Sequence, residues 1–177
     1  MDDTKLKHQL NRAYELRDFE ISHYWKRAQY FWGFLAVIYA GFFATLIAFS
    51  KENNFAIEYV LIVCTIGCIF SYAWYLVNRG SKRWQEHWEN VIKKLEDSLN
   101  LSLYNIHPEV ESEFFNAGNF SVSRINITVS FFVFLSWISL WLFSAIKYAK
   151  SNFTLYALAF ISFVCLFLVY HLGKGKK

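Results

Sequence analysis

Long apolar stretches alternate with polar, helix-patterned segments along this chain. Four stretches of about 20 residues contain no Asp, Glu, Lys or Arg: residues 30–50, 59–78, 125–146 and 151–170. A helix needs about 20 predominantly apolar residues to cross a hydrocarbon core of about 30 Å. A soluble chain of 177 residues could not bury four such helices and still present a polar surface to water. The pattern therefore predicts an all-α integral membrane protein with four transmembrane helices, at residues 30–49, 57–77, 127–147 and 153–172.

The segments beside the first two spans predict amphipathic helices that continue those spans into the cytoplasm. Apolar residues recur every three or four positions in residues 1–29, where Pro and Gly are absent. The same spacing follows the second span, within the predicted cytoplasmic connection at residues 78–126. Very short polar turns, at residues 51–54 and 150–152, join the spans in pairs. The four spans are therefore expected to form two antiparallel hairpins.

Each apolar stripe outside the membrane needs a partner. We predict that the stripes pack against each other or against a neighbouring subunit. The collar-packing set that would make these contacts is Leu6, Leu10, Tyr24, Trp84, Trp88, Ile92 and Leu95. Arg17 interrupts the N-terminal stripe and is expected to pair with Glu86 or Glu89.

Cations near the ends of the first two spans are expected to contact anionic lipid headgroups. These cations are Lys26, Arg27, Arg79, Lys82 and Arg83. Asn78 and Ser81 are expected in the same headgroup region. Further along the connection, Pro108 predicts a short helix over residues 108–116, and Ser121 and Ser123 are candidates for the N-cap of the third span.

Charge distribution gives the orientation. Fifteen of the 18 Lys and Arg residues lie in the N-terminal segment, the middle connection and the basic tail at residues 173–177. The positive-inside rule then places both termini and the connection in the cytoplasm. The net charge of +4 suits an anionic membrane surface, and no nucleic-acid recognition motif accompanies it.

The sequence carries little catalytic chemistry. Its five histidines have no metal-binding spacing, and its three cysteines all lie within spans, where a small soft side chain serves packing. No ionisable residue lies at the middle of a span, which argues against an ion-coupled transporter. We therefore predict no enzyme activity, no catalytic residue, no metal and no cofactor.

Two motifs carry a resemblance to a known family. The stretch NRGSKRWQEHWE, with SVSRINI at the start of the third span, resembles the RipA family of octameric bacterial membrane proteins. This resemblance implies a homo-octamer in the bacterial cytoplasmic membrane. Residues 5–99 are also similar to the SLATT group of two-span proteins, which is associated with membrane-disrupting effectors, although the second hairpin departs from that pattern.

Two functions follow as expectations. The first is a non-enzymatic, structural or scaffolding homo-oligomer whose partners are its own copies and anionic lipids. The alternative is an oligomeric pore that conducts ions or small solutes.

Overall fold

Four α-helices make up the fold. The computed structural model describes residues 3–51, 57–101, 103, 120–148 and 152–174. Helices α1 (Asp3–Lys51), α2 (Ile57–Ser98), α3 (Val122–Tyr148) and α4 (Asn152–Leu172) account for almost all of these residues. No strand occurs within the described ranges, so the prediction of an all-α protein is confirmed.

Three of the helices are long and apolar enough, by length and composition, to cross a membrane. These are α1, α2 and α3, whereas the apolar stretch counted in α4, Tyr156–Leu172, is shorter. Helices α1 and α2 each run without a break, for 49 and 42 residues, which is more than a single membrane crossing needs. At 1.5 Å per residue, these helices are about 74 and 63 Å long, or roughly twice the hydrocarbon thickness.

The chain divides into two compact units. Unit 1 comprises Met1–Arg27 and Asn78–Ile125, and unit 2 comprises Ala28–Val77 and Asn126–Lys177. Helices α1 and α2 therefore each contribute one part to either unit.

Unit 1 is built on the antiparallel contact between the start of α1 and the end of α2. Its apolar centre consists of Leu10, Ala13 and Ile92. Half-buried side chains pack around it: Tyr14, Trp88, Val91, Leu95 and Leu99. The two stripes predicted from the sequence thus contact each other within one chain.

Unit 2 has a core of large apolar side chains from three helices. Its buried members are Leu35, Phe42, Val60, Cys64, Cys68, Trp74 and Trp137. The indole of Trp137 is fully buried and lies directly against Gly67, where an added Cβ would collide with the ring. A small residue at this position allows α3 to approach α2 closely, as is usual between membrane helices.

Local hydrogen bonds define two of the helix ends. Ser121 Oγ accepts a hydrogen bond from the Arg124 amide at 3.4 Å, which confirms Ser121 as the N-cap of α3. At the end of α2, Asn100 adopts a positive φ of 55°, and the Leu101 amide donates to the Glu96 carbonyl at 2.9 Å. This is a Schellman ending, which Asn tolerates almost as readily as Gly. The predicted helix at 108–116 and the turn residues 52–54, 150 and 151 lie outside the described residues.

Candidate functional site

The collar-packing set occupies three kinds of environment in unit 1. Leu6, Leu10, Tyr24 and Ile92 are buried. Trp88 and Leu95 are half-buried against the Leu10–Ile92 centre. Trp84 differs from the rest because 54% of its surface is exposed within the single chain. The structure therefore packs Leu10, Trp88, Ile92 and Leu95 together, buries Leu6 and Tyr24 elsewhere in unit 1, and leaves Trp84 half exposed.

A row of polar side chains forms the centre of the α2 face that contacts α1. Asn78, Ser81, Gln85 and Glu96 are all buried, with Asn78 and Glu96 only 1% exposed. The side chains of Asn78 and Ser81 are therefore covered by the protein within the single chain, and their expected place at headgroup depth stays a prediction. Asn78 belongs to a seven-residue repeat of buried sites at 71, 78, 85 and 92, and Ser81 lies seven residues after the buried Trp74, so a heptad count would have indicated them. A search for apolar residues alone passed over them.

Two hydrogen bonds across the hairpin satisfy part of this polar row. Tyr14 donates from its hydroxyl to Glu96 Oε1 at 2.5 Å, and the Arg27 guanidinium donates to Ser81 Oγ at 2.9 Å. Arg27 also lies 3.4 Å from a Glu20 carboxylate oxygen. A buried polar group left unsatisfied costs about 1–3 kcal/mol, so these pairs favour one register of α1 on α2 over its alternatives.

Arg17 has a different ion-pair partner from the one predicted. Its guanidinium lies 3.2 Å from the carboxylate of Asp18, and Glu86 lies 3.8 Å from the Lys82 ammonium. The register set by Tyr14–Glu96 and Arg27–Ser81 places Arg17 level with residue 92 or 93 of α2. Glu86 then lies about 9 Å, and Glu89 about 5 Å, before that level along α2. Arg17 pairs with its neighbour Asp18 on α1, and no ion pair joins it to Glu86 or Glu89 among the described residues.

The cations expected at the lipid interface flank the boundary between the units. Lys26, Arg79 and Arg83 are exposed, whereas Lys82 and Arg27 are half-buried. Arg27 has an internal role as well, since its guanidinium bonds Ser81. The three exposed cations are placed where long basic side chains can reach an anionic headgroup.

Unit 1 also presents two aromatic patches on its outer surface. On α1, the Phe19 and His23 rings stack with centroids 3.8 Å apart, and Phe19 is 53% exposed. On α2, the His87 ring meets Trp84 edge-on at 5.5 Å and Trp88 at 5.1 Å. We call these the α1 patch (Phe19, His23) and the α2 patch (Trp84, His87).

A comparison with protein families gives the context of these surfaces. The sequence model of the octameric membrane protein family (8xMP) matches residues 7–147, about four fifths of the chain. The chain belongs to this family. The resemblance to octameric membrane proteins seen in the sequence is thereby confirmed. No curated protein and no solved structure matches the chain.

Membership of the 8xMP family implies a membrane protein that associates with copies of itself. Unit 2 has the surface that a membrane requires, because all four of its helices expose large apolar side chains, among them Trp32, Ile62, Phe132 and Phe160. In water such a surface would be an aggregation liability. In a bilayer it is the expected lipid-facing or subunit-facing surface.

Several hydroxyl groups inside unit 2 form hydrogen bonds within or between its helices, whereas the indole N–H groups of Trp74 and Trp137 are buried without a hydrogen-bond partner. Hydroxyls donate to backbone carbonyls one turn earlier on their own helix, as Thr65 does to Leu61, Ser71 to Gly67 and Ser162 to Leu158. The Trp141 indole N–H donates to Thr65 Oγ1 at 3.1 Å, and Ser162 Oγ lies 3.2 Å from the same oxygen, so this node joins α2, α3 and α4. Within the described ranges, no cluster of three or more His, Cys, Asp or Glu residues could hold a metal ion.

Proposed function

We propose that this 8xMP protein is a non-enzymatic, homo-octameric scaffold of the bacterial cytoplasmic membrane. One observation carries the proposal: unit 2 exposes large apolar side chains on every helix, while unit 1 buries its apolar stripes within an amphipathic hairpin. Eight copies of such a chain give a membrane ring with a helical collar at one surface. The collar can then hold other components at the membrane without chemistry of its own.

We further propose that unit 2 lies in the bilayer as two hairpins and that unit 1 lies in the cytoplasm with both termini. The unit boundaries fall within two residues of the limits that the sequence alone predicts for the membrane segments. Helix α4 has 21 residues without an Asp, Glu, Lys or Arg, which is sufficient for a fourth crossing. The 15 cations assigned to the cytoplasmic side support this orientation.

The exposed cations at the unit boundary support an interaction with anionic lipids. Lys26 precedes the membrane part of α1, and Arg79 and Arg83 follow the membrane part of α2. Each cation near an anionic leaflet contributes about 1 kcal/mol, so the 24 cations from eight copies would fix the height of the ring in the bilayer.

A conducting pore is the rival function, and conductance measurements distinguish the two. A selective aqueous pore is lined by carbonyl rings, charged rings or a hydrophobic gate. In unit 2 the hydroxyls of Thr65, Ser71 and Ser162 instead bond their own helices, which supports a lipid-filled or closed centre. We expect purified octamers in a planar bilayer of defined voltage to give no single-channel steps.

The control in this experiment is a known pore-forming protein added to the same bilayer. Incorporation of the octamer is checked by sizing protein recovered from the same vesicles. Reproducible unitary steps that depend on the amount of this protein would overturn the scaffold and establish the pore.

A further inference from the structure

We propose that the α1 patch of one subunit docks against the α2 patch of the next subunit around the octamer. The occupant of each patch is therefore a second copy of this chain. The assignment rests on the proposed ring with a single orientation in the membrane, and it specifies which surfaces of unit 1 close that ring.

Both patches leave large rings in contact with solvent within the single chain. Phe19 is 53% and Trp84 54% exposed, although each lies on a helix whose inner face is well buried. A histidine ring packs against each of them, which restricts the orientations that the exposed rings can take. Exposed aromatic rings are the usual anchors of protein interfaces, and tryptophan is prominent among them.

The patches face opposite sides of the hairpin. At 100° per residue, Phe19 and His23 lie about 110–150° from the buried row of α1 that contains Ala13 and Tyr24. Trp84 and His87 lie about 100–160° from the buried row of α2. One patch therefore faces outward from α1 and the other outward from α2.

The patches also share one level along the hairpin. The hydrogen bonds Tyr14–Glu96 and Arg27–Ser81 join the two helices at two levels. Phe19 and His23 lie between Tyr14 and Arg27 on α1. Trp84 and His87 lie between Ser81 and Glu96 on α2. Neighbouring copies of the same height would thus bring the two patches face to face.

A ring of identical subunits requires two different contact surfaces on each subunit. Copies that share one orientation in a membrane are related by rotation about an axis normal to the bilayer, so adjacent copies meet through two different surfaces. A self-complementary contact would form pairs instead of a ring of eight. Unit 1 supplies two different aromatic surfaces on opposite sides, which is what a head-to-tail ring needs.

Flanking charges favour a second copy as the occupant. Asp18 adjoins the α1 patch and keeps 72% of its side chain exposed beside its ion pair with Arg17, and exposed Arg83 adjoins the α2 patch. Opposite charges at the rim of an interface set its register. Other exposed apolar residues of unit 1, such as Leu103 and Phe120, adjoin the undescribed residues 104–119 and are not assigned to this contact.

Cysteine cross-linking of the full-length octamer tests the docking. Ser22 and Asn90 are exposed on the outward faces of the two patches, and replacing them leaves all four rings intact. We expect the double variant Ser22→Cys/Asn90→Cys, treated with a short bismaleimide, to give a ladder of products up to eight subunits on a denaturing gel. Each single variant should give no ladder, because the cross-link joins two different positions.

The matched control moves one thiol along the same helix. Ser98 is exposed on the outward side of α2, about 12 Å beyond Asn90, so Ser22→Cys/Ser98→Cys should not form the ladder. The wild-type chain reports any reaction of its natural cysteines. A ladder from the control instead of the test pair, dimers from either single variant, or products of one-chain mass only would each overturn the docking.

Native mass measurement separates failure of this contact from failure of the ring. Octamers of the double variant that give no ladder would refute the docking and leave the proposed function intact. A wild-type protein that is not octameric in mild detergent would refute both.

Discussion

Trp84 and Trp88 lie one helical turn apart on α2 and have different surroundings. Trp88 packs on the Leu10–Ile92 centre of unit 1, whereas Trp84 meets the His87 ring and has 54% of its surface exposed. The fold of the subunit depends on Trp88. Trp84 is available for assembly.

Single alanine substitutions should therefore separate folding from assembly. Loss of the half-buried Trp88 ring should destabilise unit 1 by about 1–3 kcal/mol, less than the roughly 3–5 kcal/mol of a fully buried ring. We expect Trp88→Ala to increase amide hydrogen exchange in residues 10–13 and 92–96. Trp84→Ala should leave exchange in those segments unchanged and shift mass photometry from octamers towards smaller species.

Trp84→Phe is the control, because it keeps an aromatic ring at the same exposed position and should retain the octamer. Unchanged octamer mass in Trp84→Ala would show that this ring is an interfacial anchor and not a subunit contact. Equal exchange in the wild type and Trp88→Ala would contradict the packing of Trp88.

At the level of helices, the approach of α3 to α2 depends on a single small residue. The Trp137 indole occupies the space that a side chain at position 67 would need. Tyr39 and Phe42 of α1 also contact Trp137, with ring centroids 4.4 and 5.7 Å away. Trp137 therefore joins three helices of unit 2, and Gly67 permits its position.

Gly67→Ala should disturb this contact, and Gly41→Ala should not. Adding a methyl group against a packed ring typically costs about 1–3 kcal/mol. A Cβ at Gly41 would meet no atom within 4 Å, so the same change there serves as the matched control. We expect the thermal midpoint of the purified protein, followed by circular dichroism, to fall for Gly67→Ala only. Equal midpoints for the two variants would contradict the close α2–α3 contact.

The sequence predicts where the helices lie better than it predicts which side of each helix is buried. Long uncharged runs and the three- or four-residue spacing locate the helices, because span length and helical period are physical constants of the bilayer and the backbone. For the face of α2 that contacts α1, the sequence predicts the apolar residues but not the polar ones. Asn78, Ser81 and Gln85 are polar, and their burial depends on partners supplied by α1, such as Arg27 for Ser81. The exposed position of Trp84 follows from the same rotation of the helix.

At the scale of the whole molecule, unit 1 and unit 2 differ in the chemistry of their surfaces, although α1 and α2 contribute to both. Unit 2 exposes apolar side chains, and most exposed positions of unit 1 are polar or charged. Helices α1 and α2 each contribute one part to either unit. The orientation of the chain then depends on the side to which its cations are retained.

Topology reporters test this orientation directly. Fusions of alkaline phosphatase, which is active only in the periplasm, and of a fluorescent protein that folds only in the cytoplasm are made at the same sites. We expect periplasmic signals at Asn53 and Asn152, between paired spans, and a cytoplasmic signal at Asn105; positions 53 and 105 lie outside the described residues. The reason is the excess of Lys and Arg in the N-terminal segment, the connection and the tail.

A charge variant supplies the control for these fusions. Replacing Lys147 and Lys150 with Gln removes two of the three cations assigned to the periplasm and should leave every signal unchanged, because it strengthens the existing asymmetry. A cytoplasmic signal at Asn53 would invert the first hairpin and place unit 1 outside the cytoplasm. A cytoplasmic signal at Asn152 alone, with Asn53 periplasmic, would instead show that α3 and α4 do not cross the membrane as a hairpin.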